Sequence, residues 1–144
     1  ALMAAAGEGY LVACDLILDG GADVNQKAKY GETALTFAAR RGKGQIVTQL
    51  VQAGANTTDP GAIFQSTYHG HAESLYIILQ NKGNPNIRHR NTGATPAAHA
   101  VASGQLKCLR ILHKFGADLT LADNKGMGLM HHAAAGNDTS LMRW

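Results

Sequence analysis

The sequence predicts an all-α protein, a solenoid of about five stacked helix-turn-helix units whose first and last units are incomplete. Two series of turn residues carry this prediction, because both recur with a period of about 33 residues. The first series, whose middle step is shorter than the other two, is Gly21, Gly54, Gly83 and Gly116. The second series, whose second step is the short one, is Gly9, Gly42, Gly70, Gly104 and Asn137. Two turn series with one period indicate two helices in each unit.

Composition agrees with a folded protein of one domain. The 144 residues are 45% hydrophobic and 16% charged, and the formal net charge is only +3. No apolar run approaches the roughly 18–20 residues of a membrane-spanning helix, so we expect no membrane insertion. The two cysteines, Cys14 and Cys108, form neither a disulfide framework nor a metal-ligand cluster. This usage fits a reducing compartment, and we expect a cytoplasmic location, with the nucleus as an alternative.

Each predicted unit pairs a short first helix with a bulkier second helix. Thr33 and Thr95 are candidates for the N-caps of two first helices, and Pro96 suits the first helical position. Alanines recur along residues 34–39, and small side chains there would let neighbouring units approach closely. The second helices, such as residues 45–52, carry aliphatic side chains at helical spacing that would fill the layer between units.

These segments resemble the ankyrin repeat, whose family pattern includes T-P-L-H-x-A and a period of about 33 residues. The resemblance is carried by "ALMAAAGEG", "GETALTFAARRG", "GATPAAHAVASG" and "GMGLMHHAAAGN", and it extends over essentially the whole chain. It implies one domain, residues 1–144, in which a β-turn or hairpin "finger" precedes each first helix. The implied repeats are approximately 1–27, 28–58, 59–89, 90–122 and 123–144. Neither end offers a polar capping repeat, so we expect an excerpt of a longer array.

Repeat three departs from the pattern. The stretch from Asn56 to Gly70 is shorter than its counterparts in repeats two and four, which run from 25 to 42 and from 86 to 104. Asp59 could cap a helix that starts at Pro60, directly after the preceding turn. Either the finger is missing, or a flexible insertion is absent from this sequence. Because Gly70 and Gly83 are one position further apart than their counterparts elsewhere, we also expect a second helix that is one residue longer.

We find no pattern that predicts catalysis, a metal site or a cofactor. None of the seven histidines has carboxylates at ligand spacing, so structural or solvated roles are expected for them. The resemblance puts His131 at the family's T-P-L-H histidine, which holds a turn. The segments "GEGY" and "GKGQ" lack the G-K-[ST] ending of a phosphate loop. Without a nucleophile–base pair, the sequence predicts a protein that is not an enzyme.

In ankyrin arrays the fingers and first helices form a concave surface where partners usually bind. The resemblance places the following candidate partner-binding residues there: Lys27, Lys29, Tyr30, Glu32, Arg40, Arg41, Arg88, His89, Arg90, Asn91, Asn124 and Lys125. With the neighbouring Asp123, this set contains seven Lys or Arg and two acidic residues. Such a basic rim could be merely solvated, or it could attract an acidic partner.

The resulting prediction is a protein–protein interaction module that binds a partner segment, expected to be acidic, on its concave face. A first alternative is a substrate-targeting or regulatory domain of a larger enzyme, such as a kinase or a ligase. A weaker alternative is binding of nucleic acid or another polyanion, which the small net charge and the scarcity of aromatic residues disfavour. Tyr30 is the one aromatic residue that clearly belongs to the predicted face.

Overall fold

The computed structural model describes residues 1–121, 123–126 and 128. This part of the chain contains eight α-helices and no β-strand, which confirms the all-α prediction. The helices are α1 (Leu2–Glu8), α2 (Leu11–Asp19), α3 (Ala34–Arg41), α4 (Gly44–Gln52), α5 (Pro60–Tyr68), α6 (Ala72–Gln80), α7 (Pro96–Ala102) and α8 (Leu106–Lys114). None of them is long and apolar enough to cross a membrane. The fifth helix pair, expected within residues 123–144, lies outside the described residues.

The helices form two layers. The first helices of the repeats, α1, α3, α5 and α7, pack on one another in order, and the second helices, α2, α4, α6 and α8, do the same. Three of the five buried residues in each of α3 and α7 are alanines, whereas larger aliphatic residues predominate among those of α4 and α8. Representative fully buried members of the core are Ala38, Ala62, Leu50, Ile78 and Leu112. Small residues in one layer therefore allow close stacking, and bulky residues in the other fill the remaining volume.

The predicted N-caps are present. The Thr33 hydroxyl accepts a hydrogen bond from the backbone N–H of Thr36 at 3.3 Å and begins α3. Thr95 does the same for Ala98 at the start of α7. In repeat three the Asp59 carboxylate accepts from the Gly61 N–H at 3.0 Å, and α5 begins at the next residue, Pro60. Consequently no finger separates α4 from α5 in this structure.

The turn after α6 corrects the predicted register. Gly21, Gly54 and Gly116 have positive φ, but in repeat three the residue with positive φ is Lys82, at 76°, and not Gly83. Helix α6 has nine residues, like α2, α4 and α8, so the expectation of a longer helix is wrong. Gly83 instead occupies the following position, where a Cβ atom would lie 2.8 Å from the backbone oxygen of Ile78.

Replacing Lys82 by glycine is expected to stabilise the domain by about 0.5–1 kcal/mol. A left-handed conformation costs a non-glycine residue roughly 1–2 kcal/mol, part of which is offset by the greater chain entropy of unfolded glycine. Lys82 is exposed, so little packing is lost. Urea unfolding of Lys82→Gly measures the gain, and Lys82→Ala, which keeps the strain, should match the parent protein. A less stable Lys82→Gly variant would contradict the assignment.

Two asparagines connect the loops of neighbouring repeats. The Asn25 side chain accepts from the Asn56 backbone N–H at 2.7 Å and donates to the Gly54 oxygen at 3.1 Å. Asn86 bridges to Asp118 and Gly116 in the same way, at 2.6 and 3.4 Å. These bonds hold the connections between repeats at a fixed spacing. They also fix the chain immediately before the fingers of repeats two and four.

Both cysteines are buried and free. Cys14 lies in α2 and Cys108 in α8, as the sequence predicted. Burial raises the pKa of the Cys108 thiol from an ordinary value of 9.0 to about 11. The pKa of the Cys14 thiol is also raised, mainly by burial and to a smaller extent by the negative charge of Asp15. Both thiols are therefore protonated near neutral pH and act as small apolar side chains.

The raised pKa of Cys108 predicts a pH dependence of stability. Its folded-state pKa exceeds the unfolded value, so its contribution is fully present below pH 9 and is lost as the pH rises toward 11. The free energy of unfolding should therefore decline across this window. Urea unfolding at successive pH values should give a shallower decline for Cys108→Ala than for the parent protein. Equal slopes would show that Cys108 does not titrate differently in the folded state.

Candidate protein-binding surface

Finger two, residues 27–32, is a tight turn that precedes α3. The backbone N–H of Ala28 donates to the backbone oxygen of Glu32 at 2.7 Å, and the backbone N–H of Gly31 donates to the backbone oxygen of Ala28 at 2.9 Å. Lys27 and Lys29 are exposed, and the Tyr30 side chain at the tip is 83% exposed. The Lys29 ammonium lies 5.6 Å from the centre of the Tyr30 ring. This finger therefore presents two cations and an aromatic ring to solvent.

An ion pair connects finger two to α3. The Arg40 guanidinium contacts the Glu32 carboxylate, and it also lies 5.2 Å from the centre of the Phe37 ring. Both charged side chains are about 30% exposed, so they largely neutralise each other. Arg41, the next residue, is exposed at the end of α3. Of the two arginines predicted to face a partner, Arg40 thus holds its own finger in place.

Finger four, residues 88–94, has a similar turn that is one residue longer. The His89 N–H donates to the Ala94 oxygen and the Gly93 N–H donates to the His89 oxygen, both at 2.8 Å. The Arg88 guanidinium donates to the Gly93 oxygen at 3.1 Å, and Arg90 and Asn91 are exposed. Finger four therefore resembles finger two in charge as well as in shape.

Finger five, residues 123–126, packs directly against finger four. The Asn124 N–H donates to the Thr92 oxygen at 2.9 Å, and within finger five the Lys125 N–H donates to the Asp123 carboxylate at 2.8 Å. The predicted residues Asn91, Asn124 and Lys125 line one cavity of about 260 Å³ between these two fingers.

A larger cleft separates fingers two and four, at the place where repeat three has no finger. We call it the finger cleft; its volume is about 430 Å³. Three predicted residues line it from finger two: Lys27, Tyr30 and Glu32. A fourth, Arg90, lines it from finger four. The connection before α5 contributes Asp59, whose carboxylate caps that helix. The structure thus brings together four of the twelve predicted residues, on opposite walls of one cleft. Lys29, Arg41 and Arg88 are not part of its lining.

A second group of residues at the fingers and first helices was not predicted as a unit. Phe64 and Tyr68 of α5 line a cavity of about 270 Å³ with His69, His89 and His99. The Phe64 ring meets those of His89 and His99 edge-on, with centroid distances of 5.3 and 4.9 Å. We call this the aromatic–histidine pocket. Only His89 was in the predicted set, although the i, i+4 spacing of Phe64 and Tyr68 could have indicated a common helix face.

The remaining described histidines give no indication of catalysis or metal binding. His71 precedes α6, and its Nε2 atom lies 3.0 Å from the Arg40 oxygen, so it connects repeats two and three. Within the described part of the chain, no group of three His, Cys, Asp or Glu side chains could hold a metal ion. His131 lies outside the described residues, so its predicted turn-holding role stays a prediction.

Comparison with known proteins decides the family. A family model of ankyrin repeats in three copies matches residues 1–61 and 63–144. The chain belongs to the ankyrin-repeat family. Ankyrin repeats form a non-catalytic module for protein–protein interaction, which agrees with stacked helix pairs that carry fingers on one edge.

Individual ankyrin-repeat proteins are similar at a moderate level. The chain is 33% identical to cyclin-dependent kinase inhibitor 2A of Monodelphis domestica over 99 residues, 64% of this chain and 56% of that protein. It is 33% identical to cyclin-dependent kinase 4 inhibitor B of Rattus norvegicus over 102 residues, 66% of this chain and 76% of that protein. It is 29% identical to the E3 ubiquitin-protein ligase KEG of Arabidopsis thaliana over 113 residues, 73% of this chain but only 7% of the ligase. The chain thus matches about half of the first relative and a small part of the ligase.

Proposed function

We propose that this ankyrin domain binds a protein partner through an acidic segment on its concave face, the face formed by the fingers and first helices. The observation that carries the proposal is the finger cleft, which has a cation on each wall and an exposed tyrosine at its rim. The twelve predicted residues, from Lys27 to Lys125, stay the proposed contact set. Within this set, Arg40 and Glu32 form an ion pair with each other.

The charges of the two fingers favour an acidic partner. Glu32 is neutralised by Arg40, and the carboxylate of Asp59 is already engaged in capping α5. The exposed cations that remain include Lys27, Lys29 and Arg90. Complementary charge accelerates association and selects among partners, although each exposed ion pair contributes only about 0.2–1 kcal/mol.

Selection from a random library of short peptides displayed on phage tests this function. Peptides that bind should be enriched in Asp and Glu, and their affinity should fall as salt rises, because the Debye length shortens from about 10 Å at 0.1 M salt to about 3 Å at 1 M. Nuclear magnetic resonance should show that they perturb the amide signals of Lys27, Tyr30 and Arg90 more than those of Lys107 and Arg110 on α8. Binders without acidic enrichment, or binders located on α8, would contradict the proposal.

A second candidate function is supported by the similarity to the plant ligase, which is confined to 7% of that protein. In this hypothesis the ankyrin domain recruits a substrate or regulator for a catalytic domain of the same polypeptide. The binding surface would be the same, since ankyrin repeats supply no catalytic groups. The sequence of the full-length parent protein distinguishes the two cases: a catalytic domain supports the second, and further ankyrin repeats alone support the first.

A further inference from the structure

Fingers four and five show how adjacent fingers dock in this protein. The Asn124 N–H of finger five donates to the Thr92 carbonyl of finger four at 2.9 Å. The two fingers are in such close contact that a Cβ atom added to Gly93 would lie 2.0 Å from the Asn124 side-chain oxygen. A finger therefore offers the carbonyl that precedes its turn glycine to the next finger.

Finger two presents the equivalent carbonyl, that of Tyr30, but repeat three has no finger that could donate a hydrogen bond to it. Tyr30 precedes Gly31 as Thr92 precedes Gly93, and the two glycines have similar φ values of 81° and 69°. A Cβ atom on Gly31 would have nothing within 4 Å, and the Tyr30 carbonyl accepts no hydrogen bond from the residues that the structure describes. Finger two thus ends in an open edge with an available acceptor.

The finger cleft is the space into which that edge opens. Its volume of about 430 Å³ falls within the roughly 300–1,000 Å³ of typical ligand clefts. Lys27 and Arg90 contribute positive charge from opposite walls. An occupant that satisfies these features needs a backbone N–H for the Tyr30 carbonyl and carboxylates for the two cations.

We infer that the partner inserts a short, extended, acidic segment into the finger cleft, in the position that a finger of repeat three would occupy. A backbone N–H of the segment pairs with the Tyr30 carbonyl, as Asn124 pairs with Thr92, and its carboxylates lie between Lys27 and Arg90. This pairing is a minimal form of strand addition to an open edge. The inference rests on the proposed function and specifies where on the concave face the acidic segment binds.

The Tyr30 ring is expected to contribute most to the affinity, since exposed tyrosines at a cleft often become buried hot spots. The probe is the set of acidic peptides recovered by phage display. Tyr30→Ala should weaken their binding about tenfold or more in fluorescence anisotropy. Tyr10→Ala is the matched control, because Tyr10 is also exposed but precedes α2, outside the finger cleft. It should leave the affinity unchanged.

A graft tests occupation of the cleft directly. A copy of finger two, residues 27–32, inserted between Thr58 and Asp59 would supply the missing finger and fill the cleft. The grafted protein should lose peptide binding while remaining helical by circular dichroism. The same segment added before Ala1 changes composition and charge equally, and this control should bind normally. If the graft does not fold, Tyr30→Ala and Lys27→Ala, both at exposed positions, decide the question.

The outcomes separate this inference from the proposed function. If Tyr30→Ala and the graft bind acidic peptides normally while Phe64→Ala weakens binding, the segment occupies the aromatic–histidine pocket. The inference is then wrong, and the concave-face function stands. If variants in the finger cleft, in the aromatic–histidine pocket and in the cavity lined by Asn91, Asn124 and Lys125 all bind normally, the inference and the proposed function are both wrong.

Discussion

Substituting valine for Gly42 should destabilise the domain by about 3 kcal/mol or more, one of the largest effects of any single change outside the core. Gly42 follows α3 with a φ of 69°, where a β-branched side chain is strained. In addition, a Cβ atom at this position would lie 2.5 Å from the Nδ1 atom of His71. Relief of that clash would displace the ring whose Nε2 atom contacts the Arg40 oxygen, so the contact between repeats two and three would be lost.

Two further variants separate strain from steric conflict. Gly31→Val introduces the same strained conformation, with a φ of 81°, but its Cβ atom meets nothing within 4 Å. It should therefore cost less than Gly42→Val in urea unfolding. Gly104→Val, at a φ of 70°, should also destabilise the protein. If Gly42→Val unfolds at the same urea concentration as the parent protein, the repeat register deduced from the glycines is wrong.

The fold was predictable because several local signals agree, most clearly in repeats two and four. The mid-repeat glycines mark the ends of first helices, and Thr33 and Thr95 mark their beginnings. The error at Gly83 has a physical cause: a glycine beside a lysine is the natural choice for a left-handed turn, yet Gly83 is needed for its close approach to Ile78. If the first turn series is written with Lys82 instead of Gly83, its successive separations equal those between Gly9, Gly42, Gly70 and Gly104 in the second series. That agreement between the two series could have shown the shift.

The binding surface was predictable only in part. The resemblance assigned the fingers, and the short repeat three indicated an altered connection before Pro60. The sequence could not show that Arg40 pairs with Glu32, because one lies in finger two and the other near the end of α3, and their separation of eight residues matches no helical contact. Nor could it show that the missing finger opens a cleft between Tyr30 and Arg90. The cleft depends on the distance between repeats two and four, which flank repeat three.

Reversing the charges of Lys27 and Arg90 together should weaken binding of the acidic peptides about tenfold or more. A single exposed pair contributes little, about 0.2–1 kcal/mol, but reversal at two fingers replaces attraction by repulsion at both ends of the segment. Each tenfold loss corresponds to about 1.4 kcal/mol. Because the charges act at a distance before contact, most of the loss should appear in the association rate, measured by stopped-flow fluorescence. Both side chains are exposed, so the folded state should be retained.

The matched control for this experiment reverses two exposed cations on α8, Lys107 and Arg110. The Lys107→Glu/Arg110→Glu variant has the same net charge as the Lys27→Glu/Arg90→Glu variant, so any difference in affinity reports the location of the charges. The control should lose less affinity, and that small loss should disappear as salt rises, since charges farther from the peptide than the Debye length, about 10 Å at 0.1 M, are screened. A greater loss in the control would place the acidic segment on the second-helix layer. Equal losses would show that only net charge matters and would contradict binding at the fingers.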